Sequence, residues 1–234
     1  MSDRKSSRRK KIERSKDDGL EQIRAHKEQV ASEAKHTIYP ASSVSVHWEV
    51  LHTKRKIDPE LKELVADYYY GIQKNPGKQI SELEKTVETY NDIQLFQDYL
   101  LTAYVIEEEK DKAITLAQNL SRKYPDFIIG KIAAVELAIL KGDLNSIPSI
   151  LGDKYEPTAI FPERAVFHIY EILHFQFAVG RYFALKGDVK KAEEYLNLIK
   201  EADEDHIFIK KLQKVIDKNS GLKFYQRVIK KIKG

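Results

Sequence analysis

Glu171 and His174 stand in an E-x-x-H spacing, which places two potential metal ligands one turn apart on a helix face. A carboxylate-bridged di-metal centre of this kind needs a second such pair and two further glutamates on facing helices. The chain offers no such set, so the pair is expected to be a polar interruption in an apolar helix. His47 and His52 flank Trp48 without an acidic cluster in ligand register, and are expected to be structural. There is no cysteine, which removes thiolate nucleophiles, disulfides and sulfur-bound zinc. The motifs G-x-S-x-G, H-E-x-x-H, G-x-G-x-x-G and G-x-x-x-x-G-K are all absent. No catalytic residue, no metal and no cofactor is therefore expected, and surface recognition is the chemistry left.

Charge narrows the partners. The 234 residues carry a net +4, unevenly spread. Residues 1–16 hold eight Lys/Arg against two acids, and residues 218–234 hold six Lys/Arg and no acid. The segment between them is left at −8. Basic ends on an acidic middle suit tails that fold back on their own domain or reach for an anionic partner. With 42% hydrophobic residues, the chain has material for a core. It has no apolar run near the ~20 residues a membrane span needs, and no apolar segment follows the basic N-terminus as in a secretory signal. A soluble, cytoplasmic protein is expected.

The elements that must position any recognition surface are helices. Residues 1–18 form a basic tail expected to be disordered, because Ile12 is nearly its only apolar residue. Residues 19–57 form a helical or irregular extension. Within it Val44, Val46, Trp48 and Val50 alternate with polar residues in the period of a strand, but Ser42 and Ser43 could cap a helix and no pairing strand is visible, so helix is favoured. Asp58-Pro59 is an N-cap followed by proline at the first helical position. Helices follow from there, separated at Asn75-Pro76-Gly77, Asn91-Asp92, Tyr124-Pro125-Asp126, Gly142-Asp143 and Gly187-Asp188. The body is expected to be all-α.

The helices repeat. Units at 60–93, 94–127 and 128–161 align Tyr70, Tyr104 and Ala138 on the first helix and Leu83, Ala117 and Leu151 on the second. A fourth unit at 173–206 follows if eleven residues are inserted near 152–172, and it places Gly180, Phe183, Gly187-Asp188, Ala192 and Leu196. Together with Leu100, Tyr104, Ala113, Leu120 and Pro125 in the second unit, these residues resemble the tetratricopeptide repeat family over about 58–206. Gln97, Lys131 and Gln176 depart from it where the family favours a large aromatic, as do Leu101 and Val135 where it favours a small residue. The resemblance implies an α-solenoid of stacked antiparallel hairpins, about four units, spanning 58–217 with its cap. Ile207, Leu212, Val215 and Ile216 would supply a solvating last helix, because each hairpin buries its apolar face only against a neighbour. The insertion is expected to extend the fourth unit's first helix back to Phe161-Pro162-Glu163. Residues 166–179 are apolar nearly all round, which requires cover from this chain or a partner.

In that family the first helices line a concave groove. Carried over position by position, the groove here would present Leu61, Leu64, Tyr68, Leu95, Asp98, Thr102, Ile129, Ile132, Glu136, His174, Phe177 and Arg181; packing of these residues against one another is the competing expectation. No lysine/asparagine clamp for a carboxylate is present, and an apolar groove with acidic spots would suit a basic amphipathic helix. The implied function is a non-catalytic adaptor or scaffold binding a protein or peptide. The alternative is an electrostatic binder of nucleic acid or an anionic membrane surface through the basic ends. Specific nucleic-acid reading is disfavoured, because no aromatics are interleaved for base stacking. In residues 218–234, Leu222, Tyr225, Val228, Ile229 and Ile232 share a stripe among basic residues, an amphipathic helix expected to dock on the chain's own acidic body.

Overall fold

Ten helices and one pair of short strands make up the described part of a computed structural model, which covers Ser45–His47, Thr53 and residues 56–232. The expected disordered tail, most of the 19–57 extension, and His52 all lie outside the described residues. So do the side chains of the stripe from Leu222 to Ile232. The helices are α1 (Pro59–Lys74), α2 (Pro76–Thr89), α3 (Gln94–Ile106), α4 (Lys110–Lys123), α5 (Ile128–Lys141), α6 (Ile147–Leu151), α7 (Pro157–Ile160), α8 (Ile169–Lys186), α9 (Val189–Ala202) and α10 (Ile207–Ile232). Strands β1 (Ser45–His47) and β2 (Val166–His168) pair in parallel. Among the described residues no helix is long and apolar enough to cross a membrane.

Local chemistry sets the breaks where the turn residues predict them. The Asp58 carboxylate accepts the Leu61 N–H at 2.8 Å and starts α1 ahead of Pro59. Asn75 ends α1, and its side chain also accepts from the Lys78 N–H at 3.2 Å to start α2. Gly142 and Gly187 stop α5 and α8 in the left-handed region, at φ 76° and 74°. The following N–H groups of Asp143 and Asp188 reach back to Ala138 O and Phe183 O at 2.8 and 2.9 Å. The recurring Gly-Asp pair is thus one helix stop used twice.

Packing is between neighbours. α2 lies against α1 and α3, α4 against α3 and α5, and α9 against α8 and α10. The first helices also stack on each other: α1 on α3, α3 on α5, α5 on α8, with α10 closing against α8. Leu83, Ala117 and Leu151, aligned by the repeat, are all buried. α8 is buried from Ile169 to Gly180, and the cover its all-round apolar surface requires comes from α5, α9, α10 and β2 of the same chain.

Two expectations are corrected. The segment around Ser45–His47 is strand rather than helix, because its partner is hidden in the insertion: Val46 pairs with Phe167 and His47 with His168. The insertion, in turn, does not lengthen α8 back to Phe161. Gly152 and Asp153 both take positive φ, 62° and 57°, which ends α6 after five residues. α7 and β2 follow, and α8 starts only at Ile169. There His168 Nδ1 accepts the Tyr170 N–H at 3.1 Å and Glu171 accepts the His168 N–H at 2.9 Å, a reciprocal cap that holds the chain extended before the helix. The third unit consequently has only a truncated second helix. The expected capping helix and the basic C-terminal helix are one element, α10.

Two glycines mark where the chain packs too closely for a side chain. A Cβ on Gly130 would fall on the Tyr124 carbonyl oxygen, and one on Gly180 would sit 2.7 Å from Leu212 Cδ2 and 3.1 Å from Tyr195 Cβ. Gly180 therefore lets both α9 and α10 close on α8. Gly130→Ala and Gly180→Leu should each cost about 1–3 kcal/mol through overpacking, a fall of several degrees in thermal midpoint. An unchanged midpoint for Gly180→Leu, measured by circular dichroism, would contradict this packing.

Candidate functional site

Five of the polar and charged positions that the repeat aligns come together in the interior. Asp98 and Thr102 come from α3, Glu136 from α5, and His174 and Arg181 from α8. His174 Nδ1 is 2.7 Å from Asp98 Oδ1 and 3.3 Å from Thr102 Oγ1. Its Nε2 lies 3.8 Å from Glu136 Oε1, an ion-pair contact too long for a hydrogen bond. Arg181 donates to Glu136 Oε2 at 2.5 Å. Two carboxylates face two cations, so the cluster is close to neutral, which is the condition for keeping charges out of water. His174 and Glu136 are 0% exposed and Asp98 is 1% exposed.

Burial alone would lower the His174 pKa, but the Asp98 and Glu136 carboxylates overcome it and push it up to about 9. Burial would raise Glu136, and Arg181 and His174 reverse that to hold it below its ordinary value. The imidazole is therefore a cation at neutral pH, with both ring nitrogens turned to carboxylates. A second histidine behaves oppositely. His206 caps α10, its Nδ1 accepting the Phe208 N–H at 3.3 Å, and is buried among Tyr69, Tyr170 and Phe208. Desolvation, with His174 adding to it against the opposing pull of Asp203, lowers it to about 4. Neutral His206 can accept that cap; protonated His206 could not.

The E-x-x-H pair does not converge on a metal. Glu171 turns to Arg164 at 2.5 Å and to the β2–α8 cap, whereas His174 turns to Asp98. Among the described residues, no group of three or more His, Asp and Glu is arranged to hold a metal ion.

The twelve residues expected to line an open groove are therefore placed differently. Leu61, Tyr68, Leu95, Asp98, Thr102, Ile129, Ile132, Glu136, His174 and Phe177 are buried, and Leu64 and Arg181 are half-buried. The competing expectation, that they pack on one another, describes the geometry. The first helices stack directly on one another, and over α8 the cover is completed by α10: Phe208 stacks on Phe177 at 4.3 Å between centroids and lies 5.6 Å from the His174 ring. The aromatic cluster continues through Tyr170 and Tyr99, 4.5 Å apart, to Tyr69, whose hydroxyl donates to Asp203 at 2.6 Å. Sequence inspection passed over Phe208, His206, Tyr99 and Tyr69. The signal available for Phe208 was its place in the apolar run that opens the helix at Ile207.

An open concavity does exist beside this cluster. It is a cleft of about 670 Å³ between α3, α5, α8 and α10. Ile139, Leu140, Phe177, Leu185 and Val215 give it an apolar floor, and Lys110, Lys211, Lys214 and Lys218 stand among its lining residues beside Glu108. Leu185, 36% exposed, is one of two large apolar residues left open to water among the described residues. Only Phe177 and Arg181 of the twelve expected groove residues reach this cleft. The acidic spots expected in a groove are inside the protein, already paired, and the open surface is basic. Comparison with family models, curated proteins and solved structures finds no match for the chain.

The two histidines set opposite pH limits. His174, raised above its ordinary 6.5, contributes stability that is complete below 6.5 and is lost as pH climbs through about 9. His206, lowered to about 4, contributes stability that is complete above 6.5 and is lost as pH falls through about 4. Thermal stability should peak near neutrality and fall on both sides, each limb approaching about 1.4 kcal/mol per pH unit per histidine. His174→Gln should cost about 3–5 kcal/mol by stranding buried Asp98 and should flatten the alkaline limb. His206→Asn should flatten the acid limb. Denaturant melts from pH 4 to 9.5 read both; a wild-type alkaline slope that survives in His174→Gln would refute the assignment.

Proposed function

We propose that the chain is a non-catalytic scaffold of stacked helix hairpins, tetratricopeptide-like in plan, that holds a protein or peptide partner in the cleft between α3, α5, α8 and α10. The observation that carries this is an apolar floor left open to water on helices that otherwise bury their apolar faces, with Leu185 at its edge. Concave, mostly apolar surfaces with a few polar groups at the margin are where ligands bind. The stacking of first helix on first helix supports the solenoid plan. The Asp98–His174 pair would be an oriented base in an open site, but here Asp98 is 1% and His174 0% exposed. That supports binding over turnover.

A photo-reactive amino acid at Leu185 in the full chain tests this, against the same group at exposed Glu193 on α9. Discrete adducts with a polypeptide from position 185 and none from 193 are expected, and Ile139→Asp should abolish them. Equal labelling from both positions would refute the proposal. So would adducts competed away by DNA or by anionic vesicles, which would favour the electrostatic alternative.

A further inference from the structure

The charge around the cleft identifies the partner's chemistry. On α10, Lys211, Lys214, Val215 and Lys218 recur at helical spacing, so they present one face to the cleft. That row of ammonium groups runs roughly 10 Å along the helix at 1.5 Å per residue. Lys110, at the start of α4, adds a further cation to the lining. Against these stands Glu108. Arg181 is already neutralised by Glu136 at 2.5 Å, and Lys211 gives one N–H to the Ile106 carbonyl at 3.2 Å, which fixes its stem along the cleft wall. Lys110, Lys214 and Lys218 are exposed, and among the described residues that line the cleft Glu108 is the one acid. The same cleft is lined by Leu185, Ile139, Leu140 and Val215, which give it an apolar strip beside the lysine row.

From this juxtaposition we infer that the cleft binds an acidic amphipathic helix, laid alongside α10 with its apolar stripe on Leu185 and Ile139 and its carboxylates facing Lys214 and Lys218. This rests on the scaffold function proposed above and specifies its partner. It reverses the basic helix that the acidic groove positions suggest, because Asp98 and Glu136 are spent on His174 and Arg181. One carboxylate per turn matches one lysine per turn, and the apolar strip gives the i, i+3, i+4 anchors of a helix a place to be buried. An acyl chain has a single head group and would leave most of the row unanswered.

Fluorescence anisotropy of labelled designed peptides on the full chain tests the inference. One peptide carries leucine at helical i, i+3, i+4 spacing with glutamate between, the second replaces every glutamate by lysine, and the third scrambles the first at equal charge. The acidic amphipathic peptide alone should bind. Lys214→Glu/Lys218→Glu should weaken it by roughly tenfold and should let the lysine peptide bind instead, with the circular dichroism spectrum unchanged. Leu185→Asp should weaken either peptide. If the lysine peptide binds wild type as well as the acidic one does, and Leu185→Asp abolishes both, the charge assignment fails while the scaffold function stands. If the scrambled peptide or anionic vesicles bind equally, and Leu185→Asp changes nothing, both fail.

Discussion

The interior of this protein is organised around a charge cluster that cannot be taken apart one residue at a time. Asp98, Glu136, His174 and Arg181 come from three helices belonging to three hairpins. Each buried charge is tolerable only while its counter-charge is in place, since an unpaired buried ion costs several kcal/mol. Such a cluster adds little net stability compared with apolar packing, but it discriminates sharply between registers. Sliding α3 or α5 by one turn against α8 would strand a carboxylate. Apolar side chains along these helices would accept several offsets; the ions accept one.

Around that seam the fold is closed by aromatic surface. Tyr69, Tyr99, Tyr170, Phe177 and Phe208 run in contact from α1 through α3 and α8 to α10, and Gly180 allows α10 to approach closely enough to take part. The open concavity is thereby displaced: of the twelve positions expected in a groove, His174 and Phe177 lie against Phe208 of α10, and the cleft that is open lies along that helix. Its polarity is inverted as well, because the acids are consumed internally and the lysines of α10 are not.

The insertion shows how a local signal is outvoted. Residues 166–168 continue an apolar run into α8, and nothing in that run forbids helix. The reciprocal His168–Glu171 cap and the parallel pairing with Ser45–His47 make the extended form the better one; the cap is local, but the pairing joins segments that meet only after folding. His168 and His206 share this use: each accepts the N–H two residues on and begins a helix, a role for a neutral imidazole. His174, surrounded by carboxylates, is held in the charged form. Histidines of one chain are thus put to two different uses by their neighbours alone.

Helix identity, the breaks at Asn75, Gly142 and Gly187, the cap at Asp58 and the repeated burial of Leu83, Ala117 and Leu151 were legible in the residues themselves. Each of these rests on interactions within a few positions along the chain or on a periodic apolar face. Five polar residues among the positions expected in the groove, Asp98, Thr102, Glu136, His174 and Arg181, are neighbours in the fold. Whether they meet in water or under Phe208 was decided by tertiary structure, because the answer turns on how far α10 folds over α8, and that is a matter of contacts between residues distant in the chain. The same holds for the strand pair and for the charge of the open cleft. A sequence displays how many acids and bases a surface has available, but only the fold determines which of them have already found each other.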